Sequence, residues 1–280
     1  MEDAHLVLQQ LPAPAGEPSW RWPQLAVFAV YDGHAGAEAS DFARRRLHEI
    51  FARRLSERIS AGAAGACATG STDISAPVAA AVDVSELCGA LREAFVDTDA
   101  EFCASTLHNS GTTAVVAVCT GTHLVVANAG DSRAYVWRQG QPLELSVDHK
   151  PDRADEQARI CEAGGFVARG RVLHSLAVSR AIGDREYKQV SAANDDSGLH
   201  FKAPLVTAEP EVRVCRVAEG DQLLLACDGL WEVLTADKAF NFLHAAEVTK
   251  RPHRAVRQLV TAAEEEYRST DNITAVFAVL

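Results

Sequence analysis

The chain has 280 residues, enough for one large domain or two small ones and for a substantial buried core. Apolar residues make up 48% and charged residues 23%, a balance that excludes global disorder. With 38 acidic against 27 basic groups the formal net charge is −11, so the overall field repels phosphate backbones and anionic membranes and argues against a nucleic-acid partner.

The apolar runs, such as Leu25 to Tyr31, fall far short of the roughly 20 residues a membrane-spanning helix needs. The opening MEDAHLVLQQ has no basic region ahead of an apolar stretch, so no secretory signal is expected. Seven cysteines form no CxxC pair and lie mostly inside apolar runs. They read as reduced thiols, which points to an intracellular compartment.

In chain order, LAVFAVY at 25–31 predicts a buried strand stopped by the turn residues Asp32 and Gly33. Phe42, Leu47, Ile50, Phe51 and Leu55 recur at three- and four-residue steps and predict an amphipathic helix over about 37–60. Residues 61–82, rich in Ala, Gly, Ser and Thr, read as a flexible insertion. Asp83 and Glu86 are spaced as a capping box for a second helix whose apolar face runs through Phe102. The segments TTAVVAVCT, HLVVANAG and SRAYVWR predict an antiparallel meander. A short helix over 155–163, closed by Gly164 and Gly165, precedes a long loop over 184–208. Two strands at 211–217 and 221–227 read as a hairpin turning at Glu219-Gly220, followed by helices near 236–248 and 252–268 and a last strand at 273–279. Strands that come in runs rather than alternating with helices predict one α+β domain over 1–280: two packed, mainly antiparallel sheets with helix pairs outside, a four-layer αββα sandwich.

The chemical signal is that apolar strands repeatedly run straight into an aspartate: YDG at 31–33, GDS at 130–132 and CDG at 227–229, with Asp271 ahead of the last strand. Any one of these alone is a good turn. Strands that end at one edge would bring Asp32, Asp228 and Asp271 into one volume with Asp131 nearby. Two carboxylates 4 Å apart repel by roughly 4 kcal/mol at an effective dielectric near 20, so such a group must bind protons or a cation. All-oxygen ligands without clustered His or Cys favour Mg²⁺ or Mn²⁺ over zinc.

MEDAH at 1–5, YDGHAG at 31–36, SGTTA at 110–114, ANAGDSRA at 127–134, DHKP at 148–151, LAVSRAIGD at 176–184, ACDGLWEVL at 226–234 and DNIT at 271–274 resemble, in order, the metal-dependent serine/threonine protein phosphatases of type 2C. The resemblance implies hydrolysis of phosphoserine and phosphothreonine in proteins by a metal-activated water, without a phosphoenzyme. It implies two Mn²⁺ or Mg²⁺ ions: Asp32 bridging them, the Gly33 carbonyl on one, Asp228 and Asp271 completing one site, Glu2 holding the other ion partly through water, and Asp3 supporting from behind. His34 matches the general acid that protonates the leaving oxygen. Asp131, Asp228 and Glu232 match a weaker third metal site, where Glu232 stands in place of the family's usual aspartate.

The segment 155–165 with the following GFVARGRVLHS, ending at Ser175, resembles the flap that shapes the substrate groove. The family carries a phosphate-gripping arginine on a strand ahead of its MEDAH-like motif, and this sequence begins at Met1 with neither. Arg133 and Arg180 match structural arginines. The rival expectation is therefore a catalytically weak regulatory or scaffold protein with the same fold, and a third is a hydrolase of small phosphoesters. The expected partners are phosphoprotein substrates, with the chain a monomer.

Overall fold

The computed structural model describes residues 1–19, 22–66, 82–190, 201–246 and 250–280. The chain opens with an unanticipated strand, β1 (Ala4–Leu8), followed by β2 (Ala26–Tyr31), β3 (Gly33–His34) and two long helices, α1 (Glu38–Ala66) and α2 (Val84–Ser105). Then come β4 (Gly111–Thr112), β5 (Ala114–Cys119), β6 (His123–Ala129), β7 (Arg133–Arg138) and β8 (Gln141–Glu144). Helix α3 (Ala154–Glu162) leads to the short strands β9 (Val167–Ala168), β10 (Arg171–Val172) and β11 (Ile182–Gly183). The last stretch is β12 (Glu211–Arg216), β13 (Gln222–Ala226), α4 (Asp228–Trp231), α5 (Ala236–Ala245), α6 (Pro252–Glu265) and β14 (Ala275–Val279).

Five strands form one sheet in the order β1-β2-β5-β6-β12, and four form a second in the order β14-β13-β7-β8, every pair antiparallel. The strands are apolar at nearly every position because both faces of each sheet are covered. Along β2, Val27, Ala29 and Tyr31 pack beneath α1 and α2, whereas Phe28 and Val30 face the second sheet. Along β13, Leu223 and Leu225 point into that inter-sheet core and Leu224 packs against Phe240, Leu243 and Leu259 of α5 and α6. Two helix pairs therefore sandwich two sheets, the predicted four layers.

The predicted meander is corrected at its third strand. β5 and β6 pair as expected, Ala114 opposite Ala129, but β7 crosses to the second sheet and pairs with β13 and β8. Burial explains the crossing: Ala134 and Val136 enter the inter-sheet core, while Tyr135 stacks on Trp231 at 5.1 Å and Trp137 on Phe240 at 5.3 Å on the opposite face. The hairpin at Glu219-Gly220 is corrected for the same reason. β12 edges the first sheet and β13 lies inside the second, with Asp221 bonding the Ala218 amide at 2.9 Å and pairing with Arg138.

The insertion predicted over 61–82 is corrected at its start. α1 continues to Ala66 through the alanine-rich stretch AGAAGA, alanine being the best helix former. Residues 67–81 lie outside the described residues. Asp83 caps α2 by accepting from the Ser85 amide at 2.9 Å, but Glu86 reaches Arg58 of α1 at 2.7 Å rather than closing a capping box. The strand predicted from 273 begins at Ala275, and within the predicted loop over 184–208 residues Arg185–Tyr187 make a 3-10 turn. Residues 191–200 of that loop lie outside the described residues.

A small separate core gathers Ile160 of α3, Val172 of β10, Leu205 and Val206 beside the main sandwich. Glu156 of α3, with its side chain 2% exposed, ties this unit to the segment carrying β11. It accepts from Arg180 at 2.7 Å and from Arg159 at 2.8 Å. Burial alone would raise the Glu156 carboxyl, but the two guanidiniums outweigh it and hold it near 2. Its folded value lies below its ordinary 4.5, so the stabilisation is complete above pH 4.5 and drains away as pH falls toward 2. Replacing Arg180 by Ala leaves this buried carboxylate short of a cation and is expected to cost about 3 kcal/mol at neutral pH. In urea unfolding the gap between wild type and variant should narrow once pH drops below 4.5; an unchanged gap would mean that Glu156 is not the group responsible.

Candidate metal centre

The site forms where β2, β6 and β13 each deliver an aspartate at or just beyond their last residue. Asp32 follows β2, and its backbone is clamped to the neighbouring chain. Its carbonyl accepts from the Thr113 amide at 2.9 Å and the Thr112 hydroxyl at 3.0 Å. Asp131 follows β6, is 3% exposed and takes the Lys150 ammonium as its ion-pair partner. Asp228 opens α4 directly after β13 and Cys227. A ligand oxygen from each of Asp32, Asp131 and Asp228 lies within 4.8 Å of the others.

Asp271 lines the same cavity, of about 430 Å³, but stands at its exposed rim outside that group of three. It is held by the loop before β14, where Cys227 Sγ donates to the Asn272 carbonyl at 3.3 Å and accepts from the Thr274 amide at 3.1 Å. Glu2 lines the cavity as well. Its amide donates to Asn272 Oδ1 at 3.0 Å, and its Oε1 accepts from the Gly36 amide at 3.1 Å. A Cβ on Gly33 would collide with the Glu2 carbonyl oxygen, so only glycine lets β3 pass this close. Asp3 buries both carboxylate oxygens without a hydrogen bond of normal geometry, next to Thr274 and Cys227. Glu232 is exposed and does not line the cavity, although its charge is felt at Asp228. The structure thus brings Asp32, Gly33, His34, Asp131, Asp228, Asp271 and Glu2 around one cavity and leaves Glu232 outside it.

Electrostatics at this point is unfavourable for bare carboxylates. Burial pushes Asp32 far above the usual carboxylate range, with Asp228, Asp3, Asp131 and Asp271 adding to the rise. Asp228 is raised by burial and by Asp131, against the opposing pull of Lys150. Burial also raises Asp3, with Asp271 adding to it. A crowd of oxygen donors at this spacing, with buried carboxylate oxygens lacking hydrogen bonds, suits hard divalent cations.

Two residues given no role in the sequence have clear ones in space. Lys150, within DHKP, neutralises Asp131. Asp184, at the end of LAVSRAIGD, accepts from His34 Nε2 through both oxygens, at 2.8 and 2.9 Å. Burial would lower the His34 imidazole, but Asp184 and the neighbouring acids outweigh it and raise it above its ordinary value. The motifs that contain Lys150 and Asp184 mark their importance, yet nothing in the linear sequence says which partner each meets. Arg133 is engaged by Asp148 at 2.8 and 2.9 Å, and Arg180 by Glu156, as expected of structural arginines. Among the described residues lining the cavity, Arg171 of β10 is the one arginine, and its Nη1 donates to the Ser175 carbonyl at 2.6 Å.

The family model of protein phosphatase 2C matches residues 1–273. "Protein phosphatase 2C homolog 2" of Aspergillus fumigatus is 34% identical over 98% of this chain and 55% of its own length. The human "Integrin-linked kinase-associated serine/threonine phosphatase 2C" is 32% identical over the whole of this chain and 65% of its own. "Probable protein phosphatase 2C 6" of Paramecium tetraurelia is 31% identical over 99% of this chain and 86% of its own. The chain thus spans between half and two-thirds of the length of the first of these curated relatives. A solved C. elegans sex determining protein superimposes with a TM-score of 0.74 at 25% identity, covering 99% of this chain and 61% of that one. The serine-threonine phosphatase 2C of Toxoplasma gondii shares the fold with a TM-score of 0.71 at 23% identity, covering 99% and 90%. With strand-end acids converging in the predicted sandwich and a family match running nearly end to end, this chain belongs to the protein phosphatase 2C family.

Proposed function

We propose that the chain hydrolyses phosphoserine and phosphothreonine in proteins, using Mn²⁺ or Mg²⁺ and forming no phosphoenzyme. The observation that carries this reading is the meeting of Asp32, Asp131 and Asp228 beside His34 in one open cavity. Asp32, the Gly33 carbonyl, Asp228, Asp271 and Glu2 are the groups that would hold two ions, with Asp3 supporting them. Asp131 and Asp228 would serve a weaker third site, at which Glu232, exposed and outside the cavity, acts through its charge on Asp228. When bound, the cations neutralise charge on the phosphoryl group and lower the pKa of water in the cavity.

The chain's own groups supply the rest. His34 gives a proton to the seryl or threonyl oxygen as the bond to phosphorus breaks. Arg171, projecting from the flap hairpin, is the cationic group available to the substrate phosphate among the described residues lining the cavity. Cys227 is unsuited as a nucleophile: its Sγ is hydrogen-bonded in the loop to β14 and burial pushes its thiol well up.

Phosphate release from a phosphothreonine peptide and from p-nitrophenyl phosphate, with Mn²⁺ present, tests the reading directly. Asp32→Asn and Asp228→Asn are each expected to lower turnover by about 100-fold or more. Equal rates in all three proteins would leave the scaffold alternative standing, and turnover of the small ester without the peptide would favour a small-phosphoester hydrolase. Chelation should abolish activity, and Mn²⁺ should raise the melting temperature of the wild type but not of Asp228→Asn, as ligand linkage requires. Arg171→Ala is expected to raise KM for the phosphopeptide by about ten- to a hundred-fold with kcat less affected, the signature of one lost charge-assisted contact. An unchanged KM would remove Arg171 from the substrate site.

A further inference from the structure

The contact between His34 and Asp184 is built with more care than a chance ion pair. Asp184 is 2% exposed, and both of its oxygens face one nitrogen of the ring, His34 Nε2, at 2.8 and 2.9 Å. Asp184 itself sits in the left-handed region at φ 50°, a conformation that aspartate tolerates better than most residues. It is held there from several directions. Its amide donates to the Ser110 carbonyl at 3.1 Å, and the preceding Gly183 amide donates to Asp99 Oδ1 of α2 at 2.7 Å. The same Asp99 oxygen takes the Lys188 ammonium at 2.6 Å, which pins the chain on the far side of Asp184. Space is reserved for the pair as well: β4 places Gly111 where any Cβ would strike both His34 Nε2 and Asp184 Oδ1. His34 Nδ1 has no hydrogen-bond partner among the described residues, and the ring lines the cavity.

We propose that Asp184 is the positioning residue for His34, holding Nε2–H so that Nδ1 is the nitrogen that delivers the proton to the leaving oxygen. The inference rests on the reading of His34 as the acid. In the step, water oxygen bonds to phosphorus and its protons leave with the inorganic phosphate, the bond from phosphorus to the seryl or threonyl oxygen breaks, and the Nδ1–H proton of the imidazolium passes to that oxygen. The ring is left neutral with its Nε2–H still on Asp184, and the carboxylate keeps its charge throughout. Fixing the tautomer and plane of an imidazole is the service an aspartate performs in hydrolytic triads, here reached through the opposite ring nitrogen.

Leaving-group chemistry separates this role from a structural one. A seryl or threonyl alkoxide cannot leave without a proton, whereas p-nitrophenolate can. Wild type, His34→Gln, Asp184→Asn and the double variant are compared on a phosphothreonine peptide and on p-nitrophenyl phosphate with Mn²⁺, while Mn²⁺ affinity is followed by calorimetry. Asp184→Asn is expected to lose about 100- to 10,000-fold in kcat on the peptide, the range of a general-acid contribution, yet to stay within about threefold on the aryl ester. Its Mn²⁺ affinity should be unchanged, and the double variant should be no slower than His34→Gln alone. Asp184→Ser, smaller and without a carboxylate, replaces Asp184→Asn if the latter does not fold. Equal losses on both substrates, weakened Mn²⁺ binding, or an unaffected peptide rate would overturn the assignment of Asp184. If His34→Gln itself shows no split between the substrates, the acid role of His34 falls first, and this inference falls with it.

Discussion

The structure is organised around mutual repulsion among carboxylates. Three aspartates lie within reach of one another at the end of a sandwich whose interior is almost wholly aliphatic, so water is a poor remedy for their charge. Lys150 offsets Asp131, whereas among the described residues no cation forms an ion pair with Asp32, whose carboxyl burial pushes far above its ordinary range. Proteins tolerate such crowding where it does chemistry, and perturbed carboxylates in an open cleft beside a histidine are the physical mark of that.

The acids can converge because each stands at a strand end, where alternation of side chains between two faces ceases and a turn takes over. This makes the site unusually visible in the primary structure. The run LAVFAVYDG announces both a doubly covered strand and the carboxylate beyond it, and the same holds for LLLACDG. Asp32, Asp131 and Asp228 could be picked out before any contact was known. The four layers were equally visible, since strands and helices come in separate runs.

What stayed hidden was pairing across space. Nothing local distinguishes β7 as a neighbour of β13 rather than of β6; the decision lies in where Tyr135 and Trp137 find apolar partners, which depends on helices a hundred residues further along. β1 was obscured because His5 and Val7 face solvent and their companions on the covered side are few. The same limit applies to side chains. Asp184 follows a glycine and reads as one more turn residue, and only the fold shows that it meets His34 from 150 positions away. Glu232 shows the converse: the family resemblance put it with the acids, while one turn of helix carries it to the exposed side.

The centre straddles the seam of the sandwich, since Asp32 belongs to one sheet, Asp228 to the other, and Asp131 to the link between them. Its internal spacing is therefore a property of how the two layers sit on each other, enforced by Val30, Val115 and Leu225 packed between them. A methyl group lost or gained at those positions would let the layers shear, and shear is felt as a change of distance between charges. Tolerance to drift in this hydrophobic filling is accordingly narrower than in the outer shells under the helices, because there alone does aliphatic volume act as the ruler for the acids.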